Sequence, residues 1–268
     1  MVISDILKMF GKVDGSLILD ELMDFDASDI ILKSNMRIPK EIEEKILEFY
    51  EEYRSNTPIH YILGKKNFYG RDFYLEEGVL IPRFETEILI ENILELKEDF
   101  SKVLDIGCGS GIISITLALE LKNSHVTGVD ISDRALRVSN INKKNLDATN
   151  CSFIKSDIYE ALDKNQKFDL IVSNPPYITK EDMKALDDRV KKEPKMALFG
   201  GDDGLDFYRK IINNASDFLN PKGYIAFEIG YDQGKTVPDL LNTAGFKDIS
   251  VIKDYNGFDR CVIARSGI

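Results

Sequence analysis

The apolar run Phe168-Asp-Leu-Ile-Val stops at Ser173-Asn-Pro-Pro-Tyr177. Two prolines remove two backbone donors and stiffen the chain. The residue before the first is pushed toward an extended conformation. An asparagine amide is thereby held rigidly where a strand ends. The side-chain oxygen of Asn174 and the carbonyl of Pro175 form a fork of two acceptors that can grip one NH2 group. Such a grip suits methyl transfer to a planar amide or a nucleobase amine, whose nitrogen lone pair is delocalised. Two acceptors orient the group and stabilise positive charge as the methyl arrives. Pro176 stiffens the fork, and Tyr177 offers an aromatic face to a planar group. The competing reading is a proline-rich turn with no partner.

A second group of residues points to a methyl donor. Val103-Leu-Asp-Ile-Gly-Cys-Gly-Ser-Gly111 places Gly107, Gly109 and Gly111 between a strand and a helix, with Cys108 and Ser110 between them. Glycines there let a ligand approach the backbone at the carboxyl end of a sheet. A tight turn without a ligand is the alternative. No Gly-Lys-Ser/Thr follows, which argues against a phosphate-cradling loop. Asp105, just ahead of the glycines, is expected to point into the site and to favour a sulfonium over a pyrophosphate. Asp130 lies nineteen residues after Gly111 and suits a carboxylate accepting both hydroxyls of a ribose. Ile158, beside Asp157, falls where a third strand would flank an adenine. For Asp157 itself a helix cap or turn role competes. Together these residues favour S-adenosylmethionine over NAD.

The elements that must position these groups alternate. Strands are expected at 102–107, 125–130, 151–157, 168–173 and 223–230. Helices are expected at roughly 111–121, 132–146 and 204–218. That order predicts a parallel sheet covered on both faces. Two further strands around Asn256-Gly257 predict an antiparallel hairpin at the end of the sheet. The first 65 or so residues read as helices, with Ile42, Ile46, Phe49 and Tyr53 on one face behind Pro39. Residues 67–82 alternate aromatic and polar types around glycines and read as a β-hairpin. Three units follow: a helical domain over 1–66, a linker over 67–83 and an α/β domain over 84–268.

The 268 residues carry a formal net charge of −11 and are 43% apolar. An acidic chain is a poor general binder of phosphate backbones, so direct sequence-specific nucleic-acid binding is not expected. A basic protein partner fits better; the first 60 residues hold 13 Asp and Glu against 7 Lys and Arg. Three scattered cysteines and two distant histidines predict neither a disulfide framework nor a metal site. No signal peptide and no membrane span are expected, and a monomer in the cytoplasm is the expected state.

Six segments carry a resemblance over nearly the whole chain: PIHYILGKKNFYG (58–70), VLIPRFETEILIE (79–91), VLDIGCGSG (103–111), SNPPYI (173–178), EPKMALFGGDDGLDFYRKI (193–211) and DYNGFDRCVIA (254–264). In this order they resemble the bacterial release-factor glutamine methyltransferases. The resemblance implies a class I, Rossmann-like methyltransferase domain with a mostly parallel seven-stranded sheet. It implies N5-methylation of the glutamine in the GGQ loop of peptide-chain release factors, with the helical domain helping to hold the factor. S-adenosylmethionine would sit on Gly107, Cys108, Gly109, Ser110, Gly111, Asp130, Ile158 and Asn174, leaving as S-adenosylhomocysteine. The glutamine would sit on Asn174, Pro175, Pro176 and Tyr177, with Asn174 and Pro175 carrying the chemistry. Phe84 departs from the family, where a proline is common, and so does Ile158, where a larger aromatic is common. Arg83 and Glu85 either contact the substrate or pair with each other; Glu228 and the 193–204 loop stay unassigned. An adenine-N6 methyltransferase acting on nucleic acid would use the same fork on a flipped base. A non-catalytic adaptor on the same fold is the other rival.

Overall fold

In the computed structural model, residues 1–267 are described, and the chain forms two compact units. The first comprises Met1–Lys65 together with Asp187–Lys192. Its helices are α1 (Ile3–Phe10), α2 (Lys12–Met23), α3 (Ala27–Leu32), α4 (Lys40–Arg54) and α5 (Ile59–Leu63). The apolar stripe of α4 packs inward as its 3.6-residue period requires: Ile46 is fully buried, and Ile42, Phe49 and Tyr53 lie against the same core as Ile3, Ile6, Phe10 and Ile18. Pro39 caps α4 at its start. Asp187–Lys192 joins this unit through Arg189. Its guanidinium lies 3.9 Å from the ring centre of Tyr53 and 3.3 Å from Asp14, and Tyr53 also donates a hydrogen bond to Asp14 at 2.8 Å. A contact made so far along the chain leaves no local periodicity to announce it.

The second unit, Lys66–Leu186 with Glu193–Ile268, carries the sheet. Strands β1 (Lys65–Phe68) and β2 (Arg71–Tyr74) make a two-stranded hairpin. Its turn residues Tyr69 and Gly70 both have positive φ, 51° and 71°, the conformation whose twist suits a two-residue connection. There follow α6 (Glu85–Glu95), β3 (Lys102–Ile106), α7 (Ile112–Glu120), β4 (His125–Asp130), α8 (Asp133–Asn145), β5 (Cys151–Lys155) and β6 (Phe168–Ser173). Then come a short α9 (Asp182–Ala185), α10 (Asp206–Phe218), β7 (Leu219–Glu228), α11 (Thr236–Thr243), β8 (Lys247–Lys253) and β9 (Asp259–Arg265). Among the described residues seven strands form one sheet in the order β5-β4-β3-β6-β7-β9-β8. Neighbours from β5 to β7 are parallel, and β9 runs antiparallel to both β7 and β8. The expected α/β class and terminal antiparallel hairpin are therefore present.

Both faces of the sheet are buried, and the alternation of the strands shows it. Leu104, Ile171, Ile225, Phe227 and Val262 belong to one core with α10 and α11. Val103, Leu170, Val172, Ala226 and Ile263 belong to the other with α6 and α7. This is why the strand sequences read as near-continuous apolar runs. Strand order reverses between β3 and β6, so loops leaving the carboxyl ends of these strands diverge and open a crevice. No helix of the described residues is long and apolar enough to cross a membrane.

Candidate active site

A cavity of about 260 Å³ occupies that crevice. Its walls come from four strand ends: Gly107–Ser110 after β3, Asp130 ending β4, Ser156–Ile158 after β5, and Ser173–Pro176 after β6. Val79–Leu80, Pro82–Arg83 and Thr86 close another side. Thus Gly107, Cys108, Gly109, Ser110, Asp130, Ile158, Asn174, Pro175 and Pro176 meet around one space.

The glycine loop is shaped by two different needs. Gly107 and Gly109 have φ of 74° and 55°, and a Cβ on either would meet nothing within 4 Å, so the space beside their backbone is open to a ligand. Gly111 is instead pressed by packing: a Cβ there would stand 3.0 Å from Ile115 and Phe153. It does not line the cavity and serves the helix–sheet contact.

Asp130 holds the loop. Its Oδ2 accepts a hydrogen bond from the Gly109 amide and its Oδ1 one from the Ser132 amide, both at 2.9 Å. The Asp130 side chain also lines the cavity, where a ribose diol would need an acceptor. Burial raises the Asp130 pKa, and those backbone bonds oppose the rise. Cys108 is buried, and burial pushes its thiol well above the ordinary range, against ready formation of a thiolate. Ile158 has φ of 54°, a strained conformation for a β-branched residue. It lines the cavity while packing on the core.

Asp105 behaves differently from expectation. It is fully buried and does not line the cavity. Its Oδ2 accepts from the Ser114 amide at 3.0 Å and the Ser114 hydroxyl at 2.5 Å, tying β3 to the first turn of α7. Burial raises its pKa to about 7 against the pull of those bonds. The carboxylate turns under the loop because the pleat alternates: Leu104 and Ile106 face one side of β3 and Asp105 the other.

At the end of β6 the fork takes shape. Asn174 Nδ2 donates to Glu228 Oε2 at 2.8 Å and reaches Thr86 Oγ1 at 3.2 Å. The amide nitrogen is thus turned inward, and among the described residues nothing donates to Oδ1. No described backbone amide donates to the Pro175 carbonyl either. Two acceptors therefore stand adjacent and unused beside the cavity. Tyr177 does not line it. Its ring packs on the sheet core, and burial raises its pKa. Gln233 bonds the Tyr177 carbonyl at 3.5 Å and the Gly204 carbonyl at 3.1 Å.

The Gly-Gly-Asp-Asp-Gly segment braces this turn. Ile178 pairs with Phe199 as a parallel bridge. A Cβ on Gly204 would overlap the Tyr177 carbonyl. Asp203 caps the approach to α10 by accepting from the Leu205 amide at 3.2 Å, and it also pairs with Arg209. Arg83 does not pair with Glu85. It bonds Glu193 at 2.6 Å, and Glu193 also accepts from the Ile81 amide at 3.0 Å. Phe84, where the resemblance breaks, is exposed and faces the ring of Tyr255 at 6.4 Å.

Glu228 and Thr86 are the site residues that sequence reasoning left unassigned. One signal was available. An acid closing the apolar run Ile225-Ala-Phe-Glu must be buried, and a buried carboxylate needs hydrogen-bonding partners.

Known proteins are similar to this chain in sequence and in fold. Residues 97–243 match the sequence profile of a methyltransferase domain, and residues 11–64 that of the PrmC N-terminal domain. The release factor glutamine methyltransferase of Fusobacterium nucleatum is 42% identical over 260 residues, covering 96% of this chain and 73% of that protein. The one from Clostridium botulinum is 43% identical over 260 residues, covering 95% and 92%. The one from Bacillus cereus is 43% identical over 258 residues, covering 93% and 91%. Among solved structures, a methyltransferase from Pyrococcus furiosus superposes with a TM-score of 0.56 at 20% identity, covering 86% of this chain and 100% of that one. The Thermus thermophilus 16S rRNA N2 G1207 methyltransferase, in complex with AdoMet and guanosine, does so with a TM-score of 0.54 at 20% identity, covering 75% and 49%. These two likenesses show the fold. The sequence identities, sustained along almost the full length, show that the chain belongs to the release factor glutamine methyltransferase family.

Proposed function

We propose that this protein methylates the N5 side-chain amide of the glutamine in the GGQ loop of peptide-chain release factors, with S-adenosylmethionine as donor. The observation that carries the reading is the Asn174 amide, its nitrogen bonded inward to Glu228 and its oxygen left beside the free carbonyl of Pro175. The residues present fit the donor. Open backbone at Gly107 and Gly109 and the cavity-lining carboxylate of Asp130 suit its adenosine half, and Ile158 supplies an apolar wall for its base. When bound, the donor supplies an electrophilic methyl group on a sulfonium.

The chain's own groups do the rest. Asn174 Oδ1 and the Pro175 carbonyl accept the two protons of the substrate NH2 and hold its nitrogen in line. As that nitrogen takes the methyl it gains positive charge, which the two oxygens stabilise in a water-poor cavity. The N-methylated, N-protonated amide is strongly acidic, so one proton passes from it by way of the accepting oxygen to solvent water and the amide regains its resonance; the donor would keep the carbon–sulfur electron pair and leave as S-adenosylhomocysteine. No strong base is required. Pro176 fixes the direction of the fork.

In this reading residues 1–66 form the helical domain that helps to hold the release factor, 67–83 form the linker and 84–268 form the catalytic domain. The acidic helical region complements a factor that works against ribosomal RNA, and the reaction belongs to the cytoplasm. Mass spectrometry of a release-factor domain after incubation with labelled donor tests the reading. A methyl on the GGQ glutamine is expected. Label on a Gln→Glu factor, or on a nucleic-acid adenine instead, would sink it.

A further inference from the structure

Glu228 closes β7 with 1% of its surface exposed. Its Oε2 accepts from Asn174 Nδ2 at 2.8 Å and from the Thr86 hydroxyl at 2.6 Å. Asn174 Nδ2 lies 3.2 Å from that same hydroxyl oxygen. Side chains from α6, β7 and the turn after β6 thus close a triangle behind the fork. The two ends of an asparagine amide have nearly the same shape, and a half-turn about the last bond exchanges them. Only the hydrogen-bonding surroundings decide which end faces the cavity. An ionised carboxylate accepts and never donates, so it admits the nitrogen and rejects the oxygen.

We infer that Glu228, supported by Thr86, is a positioning residue that locks the Asn174 amide with Oδ1 toward the substrate and places a negative charge behind it. The inference rests on the role given to Asn174 above. The charge matters because it polarises the amide. Electron density moves toward Oδ1, and that oxygen grips harder as the substrate nitrogen becomes positive. A merely structural carboxylate would be expected to sit in an ion pair. Glu228 instead makes no ion pair among the described residues: Arg260, the cation whose charge it feels, is bonded to Asp254 at 3.2 Å. Retaining a buried charge at such cost is characteristic of sites that use it.

The groups facing Glu228 come from every element around it: Glu85 on α6, Tyr177 after β6, Tyr208 on α10, and Arg260 and Cys261 on β9. Tyr208 also donates to the Glu228 main-chain carbonyl at 2.8 Å. Burial raises the Glu228 carboxyl to about 7, opposed by the Thr86 bond and Arg260 and assisted by Glu85. Below that pH the charge is lost while the shape remains.

The test compares wild type, Glu228→Gln and Thr86→Val in transfer of labelled methyl to a release-factor domain from pH 5.5 to 8.5, with donor binding measured by calorimetry. Glutamine keeps the shape, removes the charge and offers a donor that lets Asn174 turn over. The expected result is a fall in kcat of roughly ten- to a hundredfold for Glu228→Gln, with donor Kd within about twofold of wild type. Thr86→Val, which removes one of the two bonds, loses less. Wild-type kcat falls below about pH 7, and this acid limb is absent from Glu228→Gln, which a purely structural role would not produce. Full activity of Glu228→Gln, a retained acid limb, or an equal loss of donor binding would overturn the assignment while leaving the proposed function standing. No transfer to glutamine by the wild type would overturn the proposed function and this assignment with it.

Discussion

A methyl group placed on Gly200 would stand 2.6 Å from the carbonyl oxygen of Pro176 and 2.7 Å from Cα of Tyr177. The backbone of the Gly-Gly segment therefore sets how far the proline turn can move. Gly200 does not have a positive φ, so the constraint is purely one of space. Gly200→Ala is expected to push the turn aside by a fraction of an ångström and misplace both acceptors. A misplacement of about 1 Å can cost roughly a hundredfold in rate, so a loss of roughly tenfold is expected here. Transfer kinetics should show it while calorimetric donor affinity stays near wild type; an unchanged rate would show that the turn does not need this brace.

Asn174→Ala removes one of the two acceptors and leaves the glycine loop untouched. The expected loss in kcat is roughly 10²–10³-fold, the scale for deleting one preorganised group facing developing charge. Donor binding should change little. Equal losses of donor affinity and rate would place Asn174 in donor binding instead of transfer.

Asp130→Ala should act in the opposite way. It removes the acceptors of the Gly109 and Ser132 amides as well as those proposed for the ribose. Loss of hydrogen bonds to a charged group costs about 1.5–3 kcal/mol each, so donor Kd should rise by at least tenfold. At saturating donor kcat should recover most of its wild-type value, and titration calorimetry with steady-state kinetics separates the two.

Burial raises the Glu228 carboxyl from 4.5 to about 7. For a carboxyl raised on folding, the stabilising contribution is full below the unfolded value and is lost as pH climbs through the folded one. Wild type should therefore lose melting temperature between about pH 5 and pH 8 relative to Glu228→Gln, which carries no such charge. The difference at pH 8 is up to about 3 kcal/mol in favour of the variant. Thermal unfolding of both proteins across that range checks it. A variant less stable than wild type at pH 8 would contradict the burial argument. The expected pairing of higher stability with slower transfer is the usual exchange at a strained site.

Much of the fold was legible because it is written in local periodicity. The boundaries expected for β4 and β6 coincide with His125–Asp130 and Phe168–Ser173. The helix expected at 132–146 is α8, Asp133–Asn145. Misses concentrate where a partner lies far along the chain. Arg83 finds Glu193, 110 residues away, and neither residue type nor spacing could choose it over Glu85. Asp105 and Tyr177 were expected to face the cavity and do not: which side of a strand or turn a residue occupies depends on register with neighbours. Strand β7 begins at Leu219, ahead of the expected start at 223, since Asn220-Pro-Lys reads locally as a turn. Glu228 went unassigned because its partners, Thr86 and Asn174, lie 142 and 54 residues distant.

The excursion at Asp187–Lys192 gives the chain three crossings between its two units, after Lys65, after Leu186 and after Lys192. A single cut behind the helices consequently cannot separate the halves cleanly. A fragment starting at Lys66 would take Arg189 away from Tyr53 and Asp14. That guanidinium would be left without either partner. Excising the helical half thus also disturbs the stretch linking the fork to Glu193, so a shortened enzyme's inactivity would not by itself reveal which half recognises the factor.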